Sequence, residues 1–193
     1  MRRSSGIAIA VLFVAVVMET VAGQGKATQV PASSAASKPM AAGPVLVIET
    51  VKGTVEIEMY PNEAPKTVEH IVALAKRKFY NGQRIHRMVP GFVVQFGDPQ
   101  TRNMTKRASW GTGSSGRAIG VAEVSPKHTH TLGAVAMAHA GDPSQADSQM
   151  YITLAPQPRL DKDYTVFGQV ISGMDVAQKL AVADVIKSVT VRP

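Results

Sequence analysis

A chain of 193 residues can bury one sizeable core and is too short for two ordinary domains. It contains no cysteine, which excludes disulfides, thiol nucleophiles and cysteine metal sites, while 45% hydrophobic against 18% charged residues mark a mostly globular protein. Of the formal net charge of +7, Arg2, Arg3, Lys26 and Lys38 against Glu19 account for +3; the remaining +4 is spread over residues 44–193 without a basic stripe interleaved with aromatics, so no nucleic-acid partner is expected.

Residues 1–23 read as an export signal. Arg2 and Arg3 form a positive start, Ile7 to Met18 an apolar run, and Thr20, Ala22 and Gly23 offer small residues for a signal peptidase. The run falls short of the roughly 20 residues needed to span a bilayer. Cleavage rather than stable membrane insertion is therefore expected, with a periplasmic or secreted product. Residues 24–43, rich in Ala, Ser, Pro, Gln and Lys, read as a disordered linker.

The folded domain is expected over residues 44–193. Val45–Glu49 and Thr54–Met59 are strand-like, with Lys52-Gly53 as a hairpin turn. Pro65 suits the first position of a helix, and Val68, Ile71, Val72 and Ala75 follow at helical spacing up to a stop at Asn81-Gly82. The pattern then predicts strands over Arg84–Arg87 and Phe92–Phe96, turned by Pro90-Gly91. Residues 99–118 form a long polar loop, in which Gly111–Gly116 reads as a mobile surface segment. Further strands are expected over Gly133–Ala138, Gln149–Leu154, Thr165–Val170 and Val185–Val191, with a short helix over Met174–Leu180. Many short strands with two helices predict a mainly β barrel with helical caps.

Arg87 offers a fixed charge and a rigid fork of donors, and Gln95 and Gln149 can both donate and accept. Phe92, Val93, Met137, Tyr151 and Leu160 could form an apolar wall, and strand alternation puts Val93 and Gln95 on one face. Such a site would grip an extended peptide and seat one apolar residue. From pattern alone, the same residues read more simply as barrel core with Arg87 on a solvated rim. Among His70, His86, His128, His130 and His139, only His128 and His130 lie close in sequence. They lack a suitably spaced third ligand, so no metal site is expected. Gly111–Gly116 lacks the ending of a phosphate loop, and no serine sits in a nucleophile elbow.

Three segments in order carry a resemblance: His86-Arg87-Met88-Val89-Pro90-Gly91-Phe92 with Gln95–Asp98, then Met137–Gly141 with Ser148-Gln149, then Leu160-Asp161 with Val166-Phe167-Gly168. Over nearly all of residues 44–193 the chain resembles the cyclophilin family of peptidyl-prolyl isomerases. The resemblance implies a closed eight-stranded antiparallel β-barrel capped by two α-helices, and a cofactor-free, metal-free isomerase of X–Pro bonds. It implies catalytic roles for Arg87, Gln95 and Phe92. His86, Val93, Met137, Ala138, His139, Gln149, Tyr151, Leu160 and Tyr164 would bind substrate. The implied partners are proline-containing peptides and unfolded exported proteins, with the isomerase acting as a monomer. Val93, Tyr151 and His139 depart from the family's usual methionine, phenylalanine and asparagine. Arg159 stands where many members carry a tryptophan that contacts cyclosporin, so weak cyclosporin binding is expected. Residues 99–118 match the family poorly. The alternative is a peptide-binding module or chaperone of the same fold with little turnover.

Overall fold

Hydrophobic alternation starts the sheet. In β1 (Val45–Thr50) and β2 (Gly53–Met59), Leu46, Ile48, Val55 and Ile57 turn inward while Glu49 and Thr54 stay exposed. The two strands pair antiparallel with Leu46 opposite Ile57 and Ile48 opposite Val55. The computed structural model describes residues 43–193, so the expected signal segment and all but the last residue of the linker lie outside the described residues.

Helix α1 (Pro65–Lys76) opens on proline, whose missing N–H costs nothing there. Ala64 before it has no side-chain cap. The orphan donors go instead to a carboxylate distant in sequence: Glu123 accepts from Lys66 N at 2.9 Å, Thr67 N at 2.8 Å and Thr67 Oγ1 at 2.8 Å. Val68, Ile71, Leu74 and Ala75 form its buried face.

Strand β3 (Arg87–Val89) pairs with β4 (Val93–Phe96), placing Arg87 opposite Gln95 and Val89 opposite Val93 across the Pro90-Gly91-Phe92 turn. The expected strand at 84–87 is corrected to 87–89. Residues before Arg87 bond elsewhere: Ile85 N donates to Asp184 O at 3.0 Å, and Gln83 O and Ile85 O accept from Ile186 N and Ala183 N at 2.8 Å each.

The remaining elements are β5 (Ala134–Met137), β6 (Met150–Thr153), β7 (Val166–Ser172), α2 (Met174–Lys179) and β8 (Ile186–Arg192). All eight strands join one antiparallel sheet in the order β3-β4-β6-β5-β7-β2-β1-β8. The closed barrel expected above is instead an open, curled sheet. No ladder joins β3 to β8; the seam carries one bridge, Arg84 to Val185, and the irregular bonds just described. A three-residue β3 is too short to supply a closing ladder.

The concave side holds the main core, including Leu46, Ile57, Ile71, Leu74, Val94, Phe96, Met137, Met150, Ile152 and Phe167. A second cluster of Val93, Ala134, Ala136, Tyr151 and Val166 is separate from it, with Phe92, Ala138, Leu160 and Tyr164 packed against it. Period-two alternation in β4, β5 and β6 divides neighbouring residues between the two clusters. The second cluster is the floor of the site.

Candidate active site

On that floor lies a cavity of about 120 Å³ walled by Phe92, Val93, Ala138, His139, Tyr151, Leu160 and Tyr164, with Arg87 and Gln95 completing it. It is smaller than a drug-sized pocket and fits one compact side chain. Val93 and Tyr151 are almost fully buried at its base. Leu160 enters from a 3-10 turn, Pro158–Leu160. Tyr164 packs edge-on to Tyr151 at 5.8 Å and tilts against the His139 ring at 4.4 Å.

Register places the polar groups. Arg87 and Gln95 are cross-strand partners, and Gln95 in turn faces Tyr151 on β6. The Arg87 guanidinium reaches Gln95 Oε1 over a long 3.4 Å, and Gln95 Nε2 donates to Gln149 Oε1 at 2.9 Å. Gln149 Nε2 donates to Gly111 O and Gly113 O, each at 2.8 Å. Arg87 is exposed, and its Cζ lies 5.3 Å from the Phe92 ring centre, with that of Arg159 4.8 Å away. A fixed cation therefore sits at the mouth of an apolar cavity, oriented by an amide chain and an aromatic face.

The far end of that chain is anchored more firmly than a surface loop would be. Asp98, fully buried, accepts from Gln100 N at 2.8 Å, Gly111 N at 2.6 Å and Gly113 N at 3.1 Å. Asp147 accepts from Ser115 Oγ, and from Gly116 N and Arg117 N at 3.0 Å each. The reading of Gly111–Gly116 as a mobile segment is corrected: two buried carboxylates and Gln149 hold it. The strapped loop bounds an adjoining cavity of about 500 Å³ that shares Gln95, Ala138 and His139 with the first and adds Gln145 and Asp147.

Tyr151 brings a hydroxyl to the cavity floor, but that hydroxyl is engaged elsewhere. His130, 1% exposed, contacts Tyr151 OH through Nε2 at 2.9 Å and Asp161 Oδ1 through Nδ1 at 2.8 Å; its backbone N–H also donates to Asp161, at 2.7 Å. Burial pulls the Asp161 carboxyl up, but the backbone and ring hydrogen bonds from His130 outweigh that and hold it below the usual carboxylate range. The ionised carboxylate accepts a hydrogen bond from Nδ1–H, and with the ring proton on Nδ1 the Nε2 atom accepts from the Tyr151 hydroxyl. Burial also pushes the Tyr151 phenol well up, so it stays protonated. Tyr151→Phe should therefore leave turnover within about threefold while costing about 1–3 kcal/mol of stability, the penalty for an unsatisfied buried acceptor at His130. Parallel urea titration and peptide turnover check both halves.

Two expected substrate contacts fall elsewhere. Met137 packs in the core, 1% exposed, because β5 sends Ala134 and Ala136 to the cavity side and Val135 and Met137 inward. His86 lines neither cavity; both its ring nitrogens are buried, and neither makes a well-formed hydrogen bond among the described residues. Burial, opposed by the Asp98 charge and the neighbouring Gln149 amide and helped by the Arg87 charge, lowers its pKa below the ordinary histidine value. The unfolded chain thus binds this proton more readily, and His86 costs stability as pH falls below about 6.5. His86→Phe should flatten the decline in urea midpoint between about pH 7 and 5; an unchanged slope would assign that decline to other groups. His139 is at the cavity, yet its Nδ1 accepts from Gly141 N at 3.1 Å and its Nε2 donates to Asp163 O at 2.8 Å. Its ring offers a peptide a face rather than a hydrogen bond. In the sequence His130 carries no signal beyond its nearness to His128, and Asp98 and Asp161 stand only as parts of the motifs.

Residues 45–193 match the model of the family described as cyclophilin type peptidyl-prolyl cis-trans isomerase/CLD. Peptidyl-prolyl cis-trans isomerase B of Bacillus subtilis is 42% identical over 137 residues, covering 71% of this chain and 90% of that one. Peptidyl-prolyl cis-trans isomerase-like 1 of Aspergillus niger is 40% identical over 140 residues, covering 70% and 80%. In fold, the chain is similar to a cyclophilin type peptidyl-prolyl cis-trans isomerase of Cryptosporidium parvum, solved also in the presence of the dipeptide Ala-Pro. For both structures the TM-score is 0.67 at 24% identity, over 77% of this chain and 97% or more of the other. The chain belongs to the cyclophilin-type peptidyl-prolyl cis-trans isomerases.

Proposed function

We propose that this isomerase acts on proline-containing segments of exported proteins, as a monomer in the periplasm or outside the cell, and that Arg87, Gln95 and Phe92 carry the catalysis. The observation that carries the site is a guanidinium held at the mouth of a compact apolar cavity by Gln95 and the Phe92 face. The Ala-Pro dipeptide in the Cryptosporidium relative supports a proline ring in that cavity. The export reading is supported by residues 1–23 alone.

Resonance gives the X–Pro C–N bond a rotation barrier of about 18–20 kcal/mol, and uncatalysed exchange takes about 10–100 s. No bond has to break. The site needs only to bind the twisted amide better than either planar form. In that twisted state the proline nitrogen regains a lone pair, to which an Arg87 N–H donates, discouraging the return of resonance. The cavity holds the ring while the preceding carbonyl swings through the groove. Gln95 positions the guanidinium, and Gln149 and the strapped loop position Gln95. The Tyr151 hydroxyl, engaged by His130, does not compete for the ring.

Exchange spectroscopy on a short X–Pro peptide tests the activity. Accelerated exchange at substoichiometric protein is the expected result, whereas a bound peptide without acceleration would make the fold a binding module. Mass analysis of native protein tests export: a cut near Ala22 or Gly23 is expected. Cyclosporin should bind weakly, because Arg159 rather than an indole stands over Phe92.

A further inference from the structure

Between Glu69 and Glu123 the chain carries nine lysines and arginines and one acid, Asp98. That acid is buried, and its oxygens are taken by backbone N–H groups. Six of the nine cations come from two segments: Lys76, Arg77 and Lys78 at the end of α1, and Arg102, Lys106 and Arg107 in the 3-10 turns Pro99–Arg102 and Met104–Ser109. Arg102 joins the segments, its Nε donating to Asn81 O at 2.9 Å and its Nη2 to Phe79 O. All six are exposed, and none enters an ion pair among the described residues. The positive charge of this lobe is therefore not neutralised within the fold.

The apolar groups on the lobe indicate which kind of anion it suits. Met104, between Arg102 and Lys106 in sequence, is 46% exposed. The two aromatic rings are not free stacking platforms for bases. Arg107 lies over Trp110 and Arg102 over Phe79, each at 5.8 Å, and the Trp110 N–H is spent on Asn103 O at 3.2 Å. The lobe offers exposed cations outside any ion pair among the described residues and, between Arg102 and Lys106 in sequence, an exposed apolar side chain. That mixture suits the headgroup region of an anionic bilayer, where a cluster of about four to eight cations is enough for recognition.

We propose that this lobe docks the protein on an anionic lipid surface. Its polypeptide continues directly into Gly111–Gly113, whose carbonyls hold Gln149 at the groove. Docking would therefore set the substrate groove beside the membrane. The proposal stands apart from the assignment of catalytic roles.

The test uses the full chain with vesicles of phosphatidylcholine alone and of equimolar phosphatidylcholine and phosphatidylglycerol. Binding is expected to be tighter to the anionic vesicles, with the difference shrinking as salt screens the charges. The double variant Lys106→Gln, Arg107→Gln should bind about 25-fold more weakly, about fivefold per cation, with unchanged peptide turnover in solution. Lys162→Gln with Lys187→Gln should bind as the parent does. The apolar run Ile7–Met18 is present in every variant, so it cannot produce the difference. Equal binding to neutral vesicles, no binding by the parent, or full binding by the 106/107 variant would each overturn the proposal. Tighter binding to duplex DNA than to anionic vesicles at the same salt would also overturn it.

Discussion

Arg87→Ala should lower kcat/KM for X–Pro isomerisation about a hundredfold while leaving peptide affinity within about threefold. The asymmetry follows from what the side chain touches. The floor of the cavity belongs to Val93, Tyr151 and the residues packed on them, of which Phe92 meets the Arg87 guanidinium. Ground-state binding of the ring therefore survives. The charge-assisted bond proposed to a pyramidal nitrogen would exist only in the twisted state, and such a bond contributes about 1.5–3 kcal/mol net. At about 1.4 kcal/mol per decade that is a factor of roughly 10 to 150, and removing a preorganised donor from a water-poor site can cost up to about a thousandfold. Arg87→Lys should recover little of the loss. An ammonium is a point charge on a flexible stem, whereas the guanidinium contacts Gln95 and the Phe92 face and still has donors left for substrate. Exchange spectroscopy for turnover and titration for affinity check the two halves. Equal loss of both would mean that Arg87 builds the pocket rather than stabilising the twist.

Elements with a two-sided chemical pattern were legible in the sequence. β2 alternates polar and apolar residues and lies one residue from its expected start, and the Val93/Gln95 face is readable because Val94 and Phe96, which alternate with them, are apolar core. β5 had no such contrast. Ala134, Val135, Ala136 and Met137 are all buried, two toward each cluster, so nothing in their types says which pair meets the cavity. The resemblance supplied the neighbourhood of Met137 but not its direction. The stability of Gly111–Gly116 is hidden in the sequence for a related reason. Its glycines and serines suggest freedom, while the groups that remove that freedom are backbone N–H donors meeting Asp98 and Asp147, contacts that leave no mark on residue type. The open seam likewise depends on where β3 begins, and strand boundaries are the weakest product of pattern reading.

Gly97→Ala should destabilise the fold by about 3 kcal/mol or more and loosen the site with it. Gly97 sits between Phe96 of the core and Asp98 of the loop strap, with a φ of +110°. That backbone region costs a residue with a Cβ about 1–3 kcal/mol. The added methyl would also stand 2.7 Å from Gln149 Cα and 2.9 Å from Ser148 C, with Ser148 O nearer still. These are backbone atoms of the segment leading into β6, and Ser148 Oγ already donates to Gly97 O at 2.8 Å. Relief by a rotamer change is not available, so β4 and the 148–149 segment must part, at an overpacking cost of about 1–3 kcal/mol. For a domain of this size, 3 kcal/mol lowers Tm by about 6–12 °C. Parting these segments also separates Gln95 from Gln149, so turnover at a temperature where the variant remains folded should fall as well. A Tm within about 2 °C of the parent would mean that the chain relieves the contact by a local shift, and that the close approach at Gly97 is not what fixes the amide chain behind Arg87.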